Sequence, residues 1–468
     1  MTYHRSFLCW LILSLTLLAV SCGREEPTPA PAPTQEIPTP PLTATTPPEP
    51  ESYPAQVTLY NLGETTILQD HFPEDSPFRD MPVRLNGIIG VPESDEQHPV
   101  VLIIHGSHVD CPGENIWPCP VEEEQANYAG FTYLVEALAK AGYVALSVNA
   151  NAEYTLGFGE GPPAVRTKQL IDLHLSELAA ANAGESDKFG LDLTNRADLT
   201  EMTWMGHSRG GEYANRILRE HDLVEAEDET GYGPVQGLVL IAPSLIAQDS
   251  LPAADLPIAA ILAACDQDVI SLDGQSYYES ARLDPERQYS ATSVYLEGAV
   301  HNTFNTVLEP ESVDPIVDRP DCTPEALISA EAQQEFLANY TVDFLQTLYD
   351  EADLTRAAQR LGILTSEPVS NELYGLPTKL NFLPSPANAL PLIVPEGDGE
   401  LSQLLGDEVQ MNGVTAVYCP AGYYVPANEP GTEPCKRVNF NQPGNPQQLA
   451  RKEKREQERE KEREEEKK

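Results

Sequence analysis

Six consecutive positions, Pro99 to Ile104 (PVVLII), constrain this chain more than any other feature. A strand with one wet face alternates apolar and polar residues. A short unbroken apolar run instead suits a strand covered on both faces, and such strands belong to parallel sheets flanked by helices. The neighbouring pattern agrees. Leu85 to Val91 reads as a strand stopped by Pro92. Phe131, Leu134, Val135 and Leu138 recur at helical spacing, and Gly142 ends that segment. Tyr143 to Val148 predicts the next strand, and residues 165–183 an amphipathic helix through Leu170, Ile171, Leu175 and Leu178. Leu199 to Met205 predicts a strand and 209–220 a helix. Val235 to Ala242 and Pro257 to Ala264 read as buried strands, Ser293 to Leu296 as a last strand, and 329–349 as a closing helix. This alternation predicts an α/β fold: a mostly parallel central sheet with helices on both faces.

The flanks have a different character. Phe7 to Val20 is mostly apolar, follows His4 and Arg5, and is short for a bilayer span, as a signal peptide would be. It runs into Leu18-Ala19-Val20-Ser21-Cys22, which looks like a bacterial lipobox with Cys22 as the lipidated residue. Residues 27–50 contain 10 Pro and 6 Thr, a composition that stays extended and buries nothing. The expected organisation is a lipoprotein signal over 1–22, a Pro/Thr stalk over 23–54, an α/β domain over 55–351, a small accessory region over 352–445 and a mixed-charge tail over 446–468. This places the protein outside the cytoplasm, in the cell envelope, lipid-anchored to a bacterial membrane. The formal net charge is −44. Such a surface repels phosphate backbones, so nucleic acid is not an expected partner. Beyond Cys9 and Cys22, six cysteines remain, and in an exported chain an even number suggests disulfides. Their spacing favours Cys111–Cys119, Cys265–Cys322 and Cys419–Cys435. No CxxC pair or HExxH helix is present, and neither a metal nor another cofactor is expected.

The chemistry concentrates at Gly206-His207-Ser208-Arg209-Gly210, between a predicted strand and a predicted helix. This fits the G-x-S-x-G nucleophile elbow, in which the serine sits on a sharp strained turn and small residues give the turn room. The helix beginning at 209 directs its positive end at the site, favouring an oxyanion there. On such an elbow the partners follow in the order serine, acid, histidine. Of nine histidines only His221 and His301 lie beyond it, and His221 falls at the end of the elbow helix. His301 follows the last strand and is the candidate base. The acid is Asp268 or Asp266, after strand 257–264; Asp268 is favoured because the acid usually stands a few residues past the strand end. Backbone N–H groups of Arg209 and Ser107 are the candidate oxyanion donors. His105 and His108 with Asp110 could be mistaken for metal ligands, but the same histidines fit a loop that shapes the oxyanion hole, which is the reading preferred.

Four segments, HGSHVDC (105–111), GHSRGGE (206–212), ACDQDV (264–269) and GAVHNTFN (298–305), together resemble the α/β-hydrolase superfamily. The similarity is to secreted bacterial members related to the dienelactone-hydrolase, acetylhydrolase and polyester-hydrolase groups, and covers roughly residues 55–350. It implies a serine hydrolase with Ser208 as nucleophile, Asp268 as acid and His301 as base. Gln267, where relatives often have Gly, and Tyr213, where they more often have Gly, depart from the pattern without touching the chemistry. The expected reaction is cleavage of a small-molecule or polymeric carboxylic ester through an acyl-enzyme. A peptidase or amidase would use the same triad, and a binding lipoprotein could reuse the scaffold. A scaffold that had lost catalysis would commonly lack a triad member, and none is missing here.

Overall fold

The computed structural model describes residues 52–112, 117–155, 164–245, 253–284, 286–309, 322–349, 361 and 371–388, with two-residue strands at 403–404, 407–408, 423–424 and 436–437. Cys22, Cys419, Cys435, the signal, nearly all of the stalk and the charged tail lie outside them.

Among the described residues ten strands form one sheet: β1 (Ala55–Leu68), β2 (Asp80–Pro92), β3 (His98–Ile104), β4 (Val144–Val148), β5 (Ala197–His207), β6 (Val235–Ile241), β7 (Ile258–Ala263), β8 (Ala291–Leu296), β9 (Glu372–Leu373) and β10 (Leu376–Leu383). Their order is β1-β2-β4-β3-β5-β6-β7-β8-β10-β9. The six strands from β4 to β8 in that order pair in parallel. The two strands at each edge pair antiparallel. The molecule is therefore a mixed α/β fold with a mostly parallel sheet.

The apolar run lies in β3 with its residues from Val100 to Ile104 fully buried. Val100, Leu102 and Ile104 enter the core on one face, and Val101 and Ile103 the core on the other. Both faces are covered because helices supply an apolar stripe to each. On the Val101 side these are α1 (Thr132–Lys140), through Leu134, Val135 and Leu138, and the last helix, Ala330–Tyr349, through Phe336, Leu337 and Phe344. On the other side, α3 (Val165–Asn182) gives Ile171, Leu175 and Leu178, and α4 (Arg209–Glu220) gives Ala214, Ile217 and Leu218. A short α2 (Asn151–Tyr154) follows β4, and α5 (Gly274–Leu283) follows β7; the last helix is α6. Each large apolar side chain taken from water contributes roughly 1.5–3 kcal/mol, so the two cores hold the central strands firmly.

Part of the stretch expected as an accessory region, 352–445, is a strand of the main sheet. Residues 376–383 form β10, which pairs antiparallel with β8 and extends the main sheet. In β10 only Thr378 is fully buried, with Leu376, Leu380 and Leu383 packed half-buried against the cores, so its alternation carries little hydrophobic contrast. Among the described residues there are two disulfides, Cys111–Cys119 and Cys265–Cys322, as the spacing suggests. Bonds of this kind persist in oxidising, extracytoplasmic compartments. Among the described residues no helix is long and apolar enough to cross a membrane.

Candidate active site

Parallel strands end together, and in an open α/β sheet the loops beyond their carboxyl ends form the binding crevice. Ile104 pairs with Gly206, His207 with Ile241, and Ala263 with Leu296, which brings the loops after β3, β5, β7 and β8 to one edge. Every triad candidate is on those loops.

Ser208 joins β5 directly to α4 at φ 54° and ψ −126°. A non-glycine residue held at positive φ costs on the order of 1–3 kcal/mol and persists only where its surroundings enforce it. The surroundings here are tight. A Cβ on Gly206 would lie 2.4 Å from the Gly211 nitrogen, and one on Gly210 would lie 2.5 Å from the carbonyl oxygens of Ile104 and His105. Only glycine at both positions lets the first turn of α4 close on β5 and rest against the end of β3. Behind the turn, the Ser208 carbonyl accepts N–H groups from Gly211 at 3.1 Å and Ser244 at 3.2 Å. Ser244 in turn donates its hydroxyl to Glu212 at 2.8 Å.

His301 lies three residues after Gly298, whose φ is 72°. The loop is clamped by Gln333 of α6. Gln333 accepts the Val300 N–H at 3.1 Å and donates to the Val300 carbonyl at 2.7 Å. The sequence reading missed Gln333, because adjacent glutamines in a helix carry no sign of which one faces a loop.

The carboxylate nearest His301 differs from the sequence preference. Asp266, not Asp268, stands on His301 Nδ1, with Oδ2 at 2.8 Å and both side chains buried. Its other oxygen accepts N–H groups from Asp268 at 2.9 Å and Val269 at 2.6 Å. The Asp266 carboxylate thus caps its own turn with one oxygen and orients the imidazole with the other. Asp268 is 56% exposed, and its Oδ2 lies 3.7 Å from His301 Nε2. The preference for Asp268 rested on counting from the strand end; a turn that folds back over the first aspartate makes the count misleading. Because Asp266 accepts from Nδ1, that nitrogen carries the proton and Nε2 is left as the basic atom.

Ser107 and Arg209, the expected oxyanion donors, come from adjoining places: Ser107 from the loop directly after β3, Arg209 from the first position of α4. His105 braces the first of these loops. Its Nε2 accepts the Ala150 N–H at 2.9 Å, so Nδ1 carries the hydrogen and donates to the Gly106 carbonyl at 2.8 Å. Burial pushes its pKa down to about 4, keeping the ring neutral. Tyr154 donates to the His105 carbonyl at 2.7 Å. Both His105 nitrogens are thus committed to backbone, and among the described residues no cluster of His, Cys, Asp and Glu could hold a metal ion.

Two further polar groups stand on neighbouring elements. Glu153 of α2 is half-buried by surface area, and the desolvation of its carboxyl raises its pKa to about 7 against the opposing charges of Arg166 and Arg209. Arg84 of β2 bonds Glu124 at 2.7 Å and the Cys119 carbonyl at 2.6 Å, tying the Cys111–Cys119 loop to the sheet. Glu124 also accepts from Asn149 and Asn151.

Comparison with protein-family models finds none that matches, and comparison with curated proteins finds no significant relative.

Proposed function

We propose that this chain is an extracytoplasmic serine hydrolase of the α/β-hydrolase type that cleaves carboxylic esters. The observation that carries this reading is the strained Ser208 at the same sheet edge as a buried histidine–carboxylate pair, His301 and Asp266. The mixed sheet and its strand-to-helix elbow are compatible with that fold. Ser208 Oγ attacks the ester carbonyl while His301 Nε2 takes its proton. The tetrahedral oxyanion is held by the N–H groups of Arg209 and Ser107, assisted by the N-terminus of α4. Collapse expels the alcohol, which receives the proton from His301, and leaves an acyl-Ser208. Water, deprotonated by the same Nε2, attacks the acyl-enzyme and releases the acid, restoring the hydroxyl. Asp266 keeps the proton on Nδ1 and stabilises the imidazolium that forms at each transfer.

The test is a p-nitrophenyl ester series with acyl chains of increasing length, together with fluorophosphonate labelling. Ser208→Ala should lose labelling and fall in rate on the order of 10⁴–10⁶ with its fold intact. Labelling that survives in this variant refutes the mechanism.

The proposal extends to location. The disulfides suit an oxidising compartment, and the sequence around Cys22 suits lipid attachment, with the Pro/Thr segment as a spacer. Radiolabelled palmitate should enter the wild type and not Cys22→Ala, which should leave the membrane fraction. Unlabelled wild type in the soluble fraction would show that no anchor exists.

A further inference from the structure

Three imidazoles meet behind the elbow, and the proposed mechanism uses only one of them. His207, between Gly206 and Ser208, is completely buried, and its Nε2 lies 3.2 Å from the His301 carbonyl oxygen. Its Nδ1 lies 3.4 Å from Nε2 of His108, on the loop after β3. The His207 ring is 4.6 Å from the His301 ring, lies near-parallel to the His108 ring with centroids 5.4 Å apart, and is edged by Phe131 and Phe304.

We propose that His108 and His207 form a neutral hydrogen-bond relay that positions His301 relative to the nucleophile. The inference rests on reading His301 as the general base. The direction of each bond follows from what the groups can do. A carbonyl oxygen only accepts, so His207 Nε2 carries the hydrogen. A neutral imidazole has one such hydrogen, so His207 Nδ1 accepts, and His108 Nε2 is the donor. Protonating His207 would make Nδ1 a donor and set it against His108. Burial, and the neighbouring His301 and His108 rings, hold the His207 pKa well below its usual value. Burial, then the His301 and His105 rings, push that of His108 down to about 3.

The consequence is geometric. His301 must meet Ser208 within a few tenths of an ångström, yet the two come from different loops. His207 is the residue before the nucleophile, and its ring holds the backbone of the base. The base is thereby referenced to the elbow itself, and not to its own loop alone. The oxyanion loop enters the same arrangement. A Cβ on Gly106 would lie 2.6 Å from Ser208 Cβ and 2.8 Å from His108 Nε2, so the His108 ring edge borders the nucleophile. His207 and His108 are positioning residues: they move no proton in the cycle.

The experiment compares His207→Leu and His207→Gln with the wild type on p-nitrophenyl butyrate, and records long-range ¹H–¹⁵N spectra of the wild-type imidazoles. Leucine fills space without hydrogen bonding. Glutamine can donate to the His301 carbonyl and accept from His108. The leucine variant should lose about 10- to 100-fold in kcat, the scale of a catalytic group displaced by about an ångström, with KM changed less than about twofold. The glutamine variant should recover most of that loss. The spectra should show His207 neutral with hydrogen on Nε2 from pH 6 to 9. Wild-type kcat in the leucine variant, a glutamine variant as damaged as leucine, or a Nδ1–H tautomer at His207 overturns the relay. If leucine does not fold, the glutamine variant and the tautomer decide. A wild type that neither hydrolyses the ester nor labels with fluorophosphonate overturns the triad reading and the catalytic role of the relay with it; a wrong tautomer in an active wild type overturns the relay alone.

Discussion

Asp266 and Asp268 lie two residues apart, near opposite nitrogens of one imidazole, and their surroundings give them different work. Asp266 is buried against Nδ1 and anchored through two backbone N–H groups, so its carboxylate fixes a tautomer. Asp268 lies largely in water, at 3.7 Å from Nε2, where its charge is screened. Asp266→Asn should therefore lower kcat by about 10⁴, because an amide can present an N–H to Nδ1 and stabilise the wrong tautomer. Asp268→Asn should change kcat by less than about tenfold. Steady-state kinetics of the two variants, with circular dichroism to verify folding, distinguishes them; the reverse ranking would return the acid's role to Asp268. The sequence could narrow the acid to these two positions but not order them. Ordering them required knowing that the turn after β7 closes over the side chain of the first.

Elements were legible in proportion to the burial that their side chains undergo. β3 is apolar throughout because both its faces are covered, and α4 is found over Arg209–Glu220, as its spacing suggests. The edges were harder. β1 carries a register irregularity between Asn61 and Glu64, which breaks its alternation, and it exposes Leu59 and Leu68. β10 joins the sheet through main-chain bonds that any side chain permits. In α5 the inward face includes Tyr277 and Ser280, a pairing too polar to read as a helical stripe. The elbow stood out for the opposite reason. Gly206 and Gly210 are required by backbone contacts near 2.5 Å, so a steric need at the site is written directly as residue type. The histidine cluster was visible in part: His105 and His108 stood out as a pair, but the contact between His108 and His207 joins residues 99 apart. Only the parallel register of β3 and β5 brings them together.

At the scale of the whole molecule, one covalent link serves the site more than the other. Cys265 immediately precedes Asp266, and its N–H donates to the Ala299 carbonyl at 2.8 Å, two residues before His301. With Cys322 and Val300 it forms a small buried cluster beside Asp266 and His301. The Cys265–Cys322 bridge spans 57 positions of chain, whereas Cys111–Cys119 spans 8. On the chain-entropy account, the longer closure removes more freedom from the unfolded state, about 4 kcal/mol against about 2.5 kcal/mol for the shorter. Replacing Cys265 and Cys322 together with alanine should therefore destabilise the protein more than replacing Cys111 and Cys119. It should also lower kcat more, because the loops of Asp266 and His301 lose the tie between them. Urea unfolding monitored by intrinsic fluorescence gives the first comparison, and ester hydrolysis well below the unfolding midpoint gives the second. If the Cys111–Cys119 variant is the less stable of the two, loop length does not govern these bridges. The short bridge would then act through the native state, where Arg84 holds the Cys119 carbonyl and the same loop carries Ser107 and His108 to the nucleophile.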